Sequence, residues 1–316
     1  MSRRRRGLEI NGILLLDKPL GLSSNQALQR VKRLFNAAKA GHTGSLDPAA
    51  TGMLPLCFGQ ATKVSGLLLD ADKVYRVTGR LGVRTETGDR EGAVIDERPV
   101  PVLSEAELDT VIARFRGLVT QIPPMYSALK VDGKRLYDLA RAGETVERKP
   151  RPIHFYRIDL TRFDGQTFDL LVHSSKGAYI RTLIEDIGEA IGCGAVVESL
   201  RRVGVGHWLA PEAEGTIADL AAERLWTIEE LTALADSGEE NPWDRAILPT
   251  DSALSGYPVV ALDEESAYHI RHGHPVFVAK APQSGWFRLY DPARRFLGMG
   301  ECLDDGRVAP RRLFAS

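Results

Sequence analysis

Between Gly41 and Gly52 the chain reads GHTGSLDPAATG. Three glycines and a proline in so short a span exclude regular structure and leave a loop. Asp47, followed by proline, can be held out of such a loop as a single carboxylate facing a cleft. An ionised carboxylate placed that way is a nucleophile or a stabiliser of developing positive charge. Asp-Pro pairs also begin ordinary turns, and loop shape alone does not separate the two uses. The segment is no P-loop, because it lacks the Gly-Lys-Ser/Thr ending that cradles a triphosphate, so nucleotide hydrolysis is not expected. Cys57, Cys193 and Cys302 form no C-x-x-C pair, which argues against a disulfide framework, a cysteine zinc site or an iron-sulfur cluster. His269, His272 and His274 have no acidic or cysteine partner at ligand spacing and read as solvated or packed side chains. No metal site is expected.

The elements that must hold this loop are legible on either side of it. Ile13 to Leu16 reads as a buried strand, with Lys18, Pro19 and Gly21 as turn punctuation. Ala27, Leu28, Val31, Leu34 and Phe35 then follow helical spacing, with Ser24 as the expected N-cap and Lys32 and Arg33 suited to the carbonyl end of the dipole. Val74 to Val83 alternates, placing Tyr75, Val77, Gly79, Leu81 and Val83 on one face and Arg76, Thr78 and Arg80 on the other. Residues 123 to 152 form an insertion between proline clusters, with seven basic and four acidic side chains. Asp132-Gly133 signals a hairpin and Leu136 to Arg141 a short helix, so a protruding basic arm is expected there. A strand at Thr167 to His173 leads through Ser174-Ser175-Lys176-Gly177 into a helix striped by Ile180, Leu183, Ile184, Ile187 and Ile191. From Val259, short strands with Gly273, Pro275, Gly285, Gly298 and Gly306 at the bends suggest a small β domain.

The 316 residues, 43% hydrophobic and 26% charged, suit one large domain and a smaller one, and exclude collagen-like, coiled-coil and disordered classes. The apolar stretch near the N-terminus is far too short for a signal-peptide core or for the ~20 residues of a membrane span. A cytoplasmic protein without membrane contact is the expectation. The net charge of −1 hides an uneven distribution: residues 211 to 251 carry eleven acidic side chains against Arg224 and Arg245, while residues 1 to 210 carry an excess of seven positive charges. A basic body beside an acidic segment is the footprint of a surface that meets a polyanion, and equally of a solvated mixture of charges. The acidic segment is expected to form surface helices and to keep such a polyanion off one flank by repulsion.

Six segments then occur in a fixed order: GHTGSLDPAATGMLPLCFGQATK from Gly41, KVYRVTGRLG from Lys73, TETGDREG from Thr85, PPMYSALKVDGKRLYDLAR from Pro123, SSKGAYIRTL from Ser174 and SLRRVGVG from Ser199. Together they resemble the TruB family, the bacterial tRNA pseudouridine(55) synthases, over about residues 10 to 210. The tail from Tyr257 to Arg312 is similar to the small β domain, related to PUA modules, that ends these enzymes. The resemblance implies an α+β fold, a mixed and largely antiparallel sheet with flanking helices. It divides the chain into a catalytic domain over residues 1–250, with its RNA-binding arm at about 123–152, and an RNA-binding PUA-like domain over 251–316.

It also implies a cofactor-free isomerisation in which a uridine of the tRNA T loop is flipped out, detached from its ribose, turned over and rejoined through carbon. Asp47 matches the catalytic aspartate, and Arg181 the arginine that supplies its counter-charge; taken alone, Arg181 is equally an exposed ion pair with Glu185. Tyr75 matches the aromatic residue that stacks on the target base and handles a proton. Tyr179 and Leu200 match two further walls of the uridine pocket, although each is ordinary core in isolation. His42 matches the residue that fills the gap left by the flipped base, and Asp89 a second acidic position near the site. Lys176, before a helix N-terminus, would seat a phosphate. Lys130, Lys134, Arg135, Arg141, Arg148, Lys149 and Arg151 would clamp the RNA backbone, giving strongly salt-dependent binding. Ser174 and Ala178 stand where family members often have Cys and Thr. Two other readings remain: a guide-RNA-dependent synthase subunit, which in dyskerin-like proteins lacks the long arm, and a tRNA-folding chaperone. The expected partner is the T arm of tRNA, bound by a monomer with no obligatory protein partner.

Overall fold

The computed structural model describes residues 7–127, 129–131, 133–217 and 220–314. Arg3 to Arg6 and Asp132 lie outside them, as do the side chains of Lys130 and Arg135. Seven strands make the spine of the large sheet: β1 (Gly12–Lys18), β2 (Ala50–Phe58), β3 (Lys73–Leu81), β4 (Gly117–Gln121), β5 (Arg151–Phe163), β6 (Thr167–Ser174) and β7 (Ala195–Val205). Their spatial order is β1-β2-β7-β3-β6-β5-β4, and every neighbouring pair is antiparallel except β2 with β7. With the helices packed against it, this is the mixed, largely antiparallel α+β architecture expected.

β1 is apolar on both faces because both faces are covered. Leu14 and Leu16 pack with Phe58 and helix α1 (Ser24–Leu34), whereas Ile13 and Leu15 pack with Met53, Cys57 and Trp208 on the other side. The N-cap of α1 is Ser23 rather than Ser24. Ser23 and Gln26 form a reciprocal capping box, and Ser24, one residue into the helix, turns its hydroxyl to the backbone of Leu46 instead. The alternation along β3 holds from Tyr75 to Leu81. It ends there, because Gly82 at φ +86° breaks the strand and puts Val83 into a separate short hairpin with residues 94–97. Gly79 has a packing reason: a Cβ there would lie 2.4 Å from the Phe168 ring.

Helix α2 (Ile180–Ile191) crosses the sheet with Ile180, Leu183, Ile184 and Ile187 buried against Val77, Ala195 and Val197. In the insertion, Lys130–Val131 pairs with Lys134–Arg135, and a short helix covers Leu136–Arg141. The insertion does not protrude freely. Leu136 and Leu139 are buried, Arg148 closes the two ends of the insertion with a hydrogen bond to the Pro123 carbonyl, and the Tyr126 carbonyl at its base accepts from Arg181 of the body. The acidic segment likewise contributes to the core as well as the surface. Its helix Ile228–Ala235 buries Leu231 and Leu234, with Trp226, against α1 and β1.

A second sheet of four strands, β8 (Val259–Ala261), β9 (Trp286–Tyr290), β10 (Phe296–Cys302) and β11 (Val308–Leu313), closes around its own core of Val260, Phe287, Leu289 and Leu297. Gly298 lies inside β10 rather than at a bend. A Cβ there would fall 2.0 Å from the Arg312 carbonyl, so glycine is needed for strand approach. The small sheet is joined to the body through Met299 in the Ile13–Met53–Trp208 cluster, and through a hydrogen bond from Tyr290 to Asp251 at 2.6 Å. Among the described residues no helix is long and apolar enough to cross a membrane, and no cluster of His, Cys, Asp or Glu has metal-holding geometry.

Gly188 is where α2 meets β7 most closely: an added Cβ would sit 2.2 Å from the Ala195 nitrogen. Gly188→Ala should therefore force the helix off the sheet and lower stability by about 1–3 kcal/mol, read as a lower urea midpoint at unchanged m.

Candidate active site

The glycine-rich stretch is not loop throughout. Gly41 and His42 pair as a short strand with Cys57 and Leu56, and Ala50 to Gly52 open β2, because glycine is tolerated where backbones approach closely. The loop proper is residues 43–49, and it is pinned at several points. Thr43 donates its N–H to the Pro55 carbonyl, Ser24 both donates to and accepts from Leu46, and Gly21 donates to the Pro48 carbonyl. Gly52, at φ +99°, lies so close to β7 that a Cβ would meet the Arg202 carbonyl at 2.3 Å. Asp47 is also a turn residue, its carbonyl accepting from Ala50 N–H at 3.0 Å, so the ordinary role and the functional one coincide. Its carboxylate is left half-exposed, with the side chain 47% accessible.

The cation facing Asp47 is Arg181, in the first turn of α2, its side chain only 7% accessible. Nη2 lies 3.0 Å from Asp47 Oδ2 and donates to the Tyr126 carbonyl at 2.6 Å, while Nη1 donates to the Thr87 carbonyl at 2.6 Å and lies 3.9 Å from Asp89 Oδ2. Among the described residues its ion pairs are with Asp47 and Asp89, and not with Glu185. Glu185 packs instead against Gly88, where burial pushes its carboxyl pKa up. Asp89 is itself fixed, accepting from the Thr87 hydroxyl at 2.6 Å and the Glu91 N–H at 3.1 Å.

A cavity of about 270 Å³ opens beside this pair, and Asp47, Tyr75, Tyr179, Arg181 and Leu200 all line it. Strand register explains the meeting: Leu200 sits opposite Val77 on β3 and opposite Ala50 on β2, and Arg202 opposite Tyr75. Tyr179 is held by its backbone, because the buried Gln121 amide accepts from its N–H at 3.1 Å and donates to its carbonyl at 3.2 Å. Burial pushes both phenols up, with the Arg202 guanidinium opposing the shift at Tyr75 and Ser127 opposing it at Tyr179. Two planar rings and an aliphatic wall around a charged pair suit a flat heterocycle.

His42 is not in this cavity. It lines the adjoining cleft of about 950 Å³ with Asp47, Asp89, Arg181 and the arm residues Tyr126, Tyr137 and Arg141. Among the described residues its Nδ1 is buried without a hydrogen-bond partner, and burial together with Arg202 lowers its pKa, so the neutral ring predominates near pH 7. Lys176 lines neither space. Its Nζ pairs with Asp70 at 3.0 Å on the outer surface, both side chains well exposed.

The chain matches the family models described as "TruB family pseudouridylate synthase (N terminal domain)" over residues 32–180, "tRNA pseudouridylate synthase B C-terminal domain" over 181–255 and "Pseudouridine synthase II TruB, C-terminal" over 258–314. It is 52% identical over 307 residues to a tRNA pseudouridine synthase B of Pseudomonas fluorescens, covering 97% of this chain and 96% of the relative. The chain belongs to the TruB family. A tRNA pseudouridine synthase B of Yersinia pestis is 51% identical over 317 residues, covering 98% of this chain and 94% of the relative. A chain in the structure of an H/ACA RNP bound to a substrate RNA superposes with a TM-score of 0.72, at 22% identity, over 100% of this chain and 92% of its own. A chain of a Cbf5-Nop10-Gar1 complex gives a TM-score of 0.71 at 24% identity, over 96% and 85%. These two share the pseudouridine synthase fold with this TruB chain.

Beyond the residues expected from sequence, the site contains Ser24, Gln121 and three buried cations. Lys18 is inaccessible and donates to the Pro19 and Leu22 carbonyls; Lys73 donates to those of Leu68, Leu69 and Ala71; Arg202 donates to those of Met53 and Gly44. Burial pulls each lysine down to about 8. In the strands, period-two alternation was the available signal, and it does not distinguish a buried lysine or arginine from a solvated one.

Two measurements follow from these groups. Arg181→Met should lower stability by about 3 kcal/mol, because it strands the buried Asp89 and two carbonyls, and denaturant titration reads this directly. Lys73 has a folded pKa below its unfolded value, so between about pH 8 and 10 the unfolded state binds more protons and this group's contribution to stability rises with pH. Wild type should thus gain stability relative to Lys73→Met as pH increases across that window, seen as a widening difference in urea midpoints.

Proposed function

We propose that this protein is a tRNA pseudouridine synthase that isomerises uridine 55 in the T loop, using Asp47 and no cofactor. The observation that carries the reading is the single cavity in which Asp47, paired with Arg181, meets Tyr75, Tyr179 and Leu200. Relatives more than half identical over nearly the whole chain are tRNA pseudouridine synthases B, which supports the same reaction.

The chemistry follows from the geometry. The target uridine leaves the T-loop stack, at a cost of a few kcal/mol, and enters between the two tyrosines. His42, a flat neutral ring one step outside the cavity, fills the vacated place. Bound RNA then covers the half-exposed Asp47 carboxylate. Removing water from a lone carboxylate is costly, but Arg181 is already in place at 3.0 Å, so the anion is retained for attack or for stabilising charge on the sugar. The C1′–N1 bond breaks, a C1′–C5 bond forms, and the proton on C5 is lost while N1 gains one, so the product is an isomer of the substrate.

The arm grips the RNA from above the cleft, with Arg141 on its lining and Lys134, Lys149 and Arg151 exposed to phosphates. Lys176 reaches a phosphate at the outer lip by exchanging Asp70 for it. Residues 1–250 act as the catalytic domain and 251–316 as the RNA-binding domain, in a cytoplasmic monomer without an obligatory protein partner. The long arm favours this stand-alone action over a guide-dependent one.

The test is release of tritium from C5 of uracil in an unmodified tRNA transcript, with EDTA present. Wild type should release about one tritium per tRNA, and Asp47→Ala none while keeping tRNA affinity. Absence of release by wild type, with tRNA binding intact, would overturn the assignment.

A further inference from the structure

Lys18, Lys73 and Arg202 are three buried cations beneath one glycine-rich loop, and among the described residues none has a carboxylate within ion-pair distance. Both lysines donate to backbone carbonyls, and Arg202 donates to two carbonyls and interacts with the Tyr75 phenol. Such burial costs several kcal/mol per charge unless an anion compensates it. Two of the three, Lys73 and Arg202, line the uridine cavity, and they flank the same point: a Cβ on Gly44 would sit 3.3 Å from Arg202 Nη1 and 3.8 Å from Lys73 Cε. Tyr75 is the cross-strand neighbour of Arg202, and its hydroxyl interacts with that guanidinium. Arg181 and Asp47 line the same cavity and neutralise each other, so its net charge is positive.

An anion does arise in this cavity during the reaction proposed above, on which this inference rests. If Asp47 or water-free sugar chemistry breaks the C1′–N1 bond, the bonding pair leaves with N1 and spreads over the uracil carbonyl oxygens. If Asp47 adds to C6 instead, its lone pair forms the C6–O bond and the C5–C6 π pair is pushed onto O4; that C6–O bond breaks again, returning the carboxylate, before the product leaves. Either way the uracil is negatively charged until C5 bonds to C1′ and the ring loses its extra electron density by forming that bond.

We propose that Lys73 and Arg202 are positioning residues that hold the charge of the detached uracil, Lys73 through its field and Arg202 through the Tyr75 hydroxyl, which it orients towards the ring. Lys73 spends its three N–H donors on carbonyls and keeps its charge at the wall, an arrangement that needs no reorganisation when the anion forms.

The test uses tRNA transcripts made with uridine or with 5-fluorouridine, whose fluorine stabilises the same ring anion, and follows single-turnover loss of the target nucleoside by chromatography of digested RNA. Wild type acting on uridine tests the reaction itself; the inference is read from the variants. Lys73→Met should slow the uridine substrate on the order of 100-fold but the fluorinated one by about tenfold or less, at unchanged tRNA affinity. Retained affinity reports an intact fold, and Arg202→Lys provides a second variant in which the fork to Tyr75 is lost and the charge kept, with the same unequal loss expected. Equal losses on both substrates, no loss, or a loss confined to tRNA affinity, as for a phosphate contact, would each overturn the proposal.

Discussion

The guanidinium of Arg181 is the point to which the rest of the site is tied. It leaves the first turn of α2, is almost wholly withdrawn from solvent, and reaches Asp47 on the glycine-rich loop, Asp89 and Thr87 on a second loop, and Tyr126 at the base of the arm. Four segments far apart in sequence thereby share one rigid planar fork. A lysine presents a point charge rather than a fork and cannot serve two carbonyls and two carboxylates in fixed directions. The requirement propagates outward. α2 must lie close enough to the sheet for its first turn to reach the cleft, which is why Gly188 faces β7 without a side chain and why Gln121 fixes the backbone at Tyr179, the residue that begins the helix.

The carboxylate at the other end of this pair is only half withdrawn from water, and that asymmetry suits a large substrate. A fully buried Asp47 would need its complete compensation inside the protein, whereas a half-exposed one facing a buried cation couples to it more strongly once any substrate displaces the water around it. The base of the arm, bonded to Arg181 through Tyr126, lies over the same cleft. The base of the arm and the charged pair, already formed at 3.0 Å, are therefore mechanically connected through one carbonyl.

Much of this was legible in the chain. Local signals carried the strands and helices: alternation at β3, the stripe on α2, and a six-residue helix at Leu136–Arg141 in the arm. Ordered motifs carried Asp47, Tyr75, Tyr179, Arg181 and Leu200, which the fold brings into one cavity. What failed had physical causes. Ser23, not Ser24, caps α1, because the reciprocal bond to Gln26 outweighs simple proximity to the apolar stripe. The arm's high charge predicts exposure along its whole length, yet its short helix buries Leu136 and Leu139. Lys176 stands four residues before the helix that starts at Ile180, and its ammonium is paired with Asp70 on the exposed surface, a partner that spacing along the chain does not reveal. Arg202 was hidden because a charged residue in an alternating strand is normally assigned to solvent, and only the three-dimensional register reveals Tyr75 across from it.

The neighbouring pair Arg201 and Arg202 shows how one dipeptide divides two kinds of electrostatics. Arg201 points to the far face, opposite Arg76, where Asp17 and Glu212 hold it with ordinary ion pairs and the Glu212 carbonyl also receives Arg76. Those contacts lie partly in water and contribute to cohesion between the sheet and the acidic segment. Arg202 points to the cavity side and has only carbonyls and a phenol. The first arginine is neutralised by the fold. The second keeps its charge uncompensated, in a place where water is scarce and the dielectric low, so its effect on whatever enters the cavity is larger than any surface arginine could exert. Glu212 of the acidic segment belongs to the compensated face, whereas the segment's helix Ile228–Ala235 packs on the Leu14 and Leu16 side; among the residues that line the cavity the carboxylate is Asp47, with Asp70 and Asp72 acting on Lys73 from outside it.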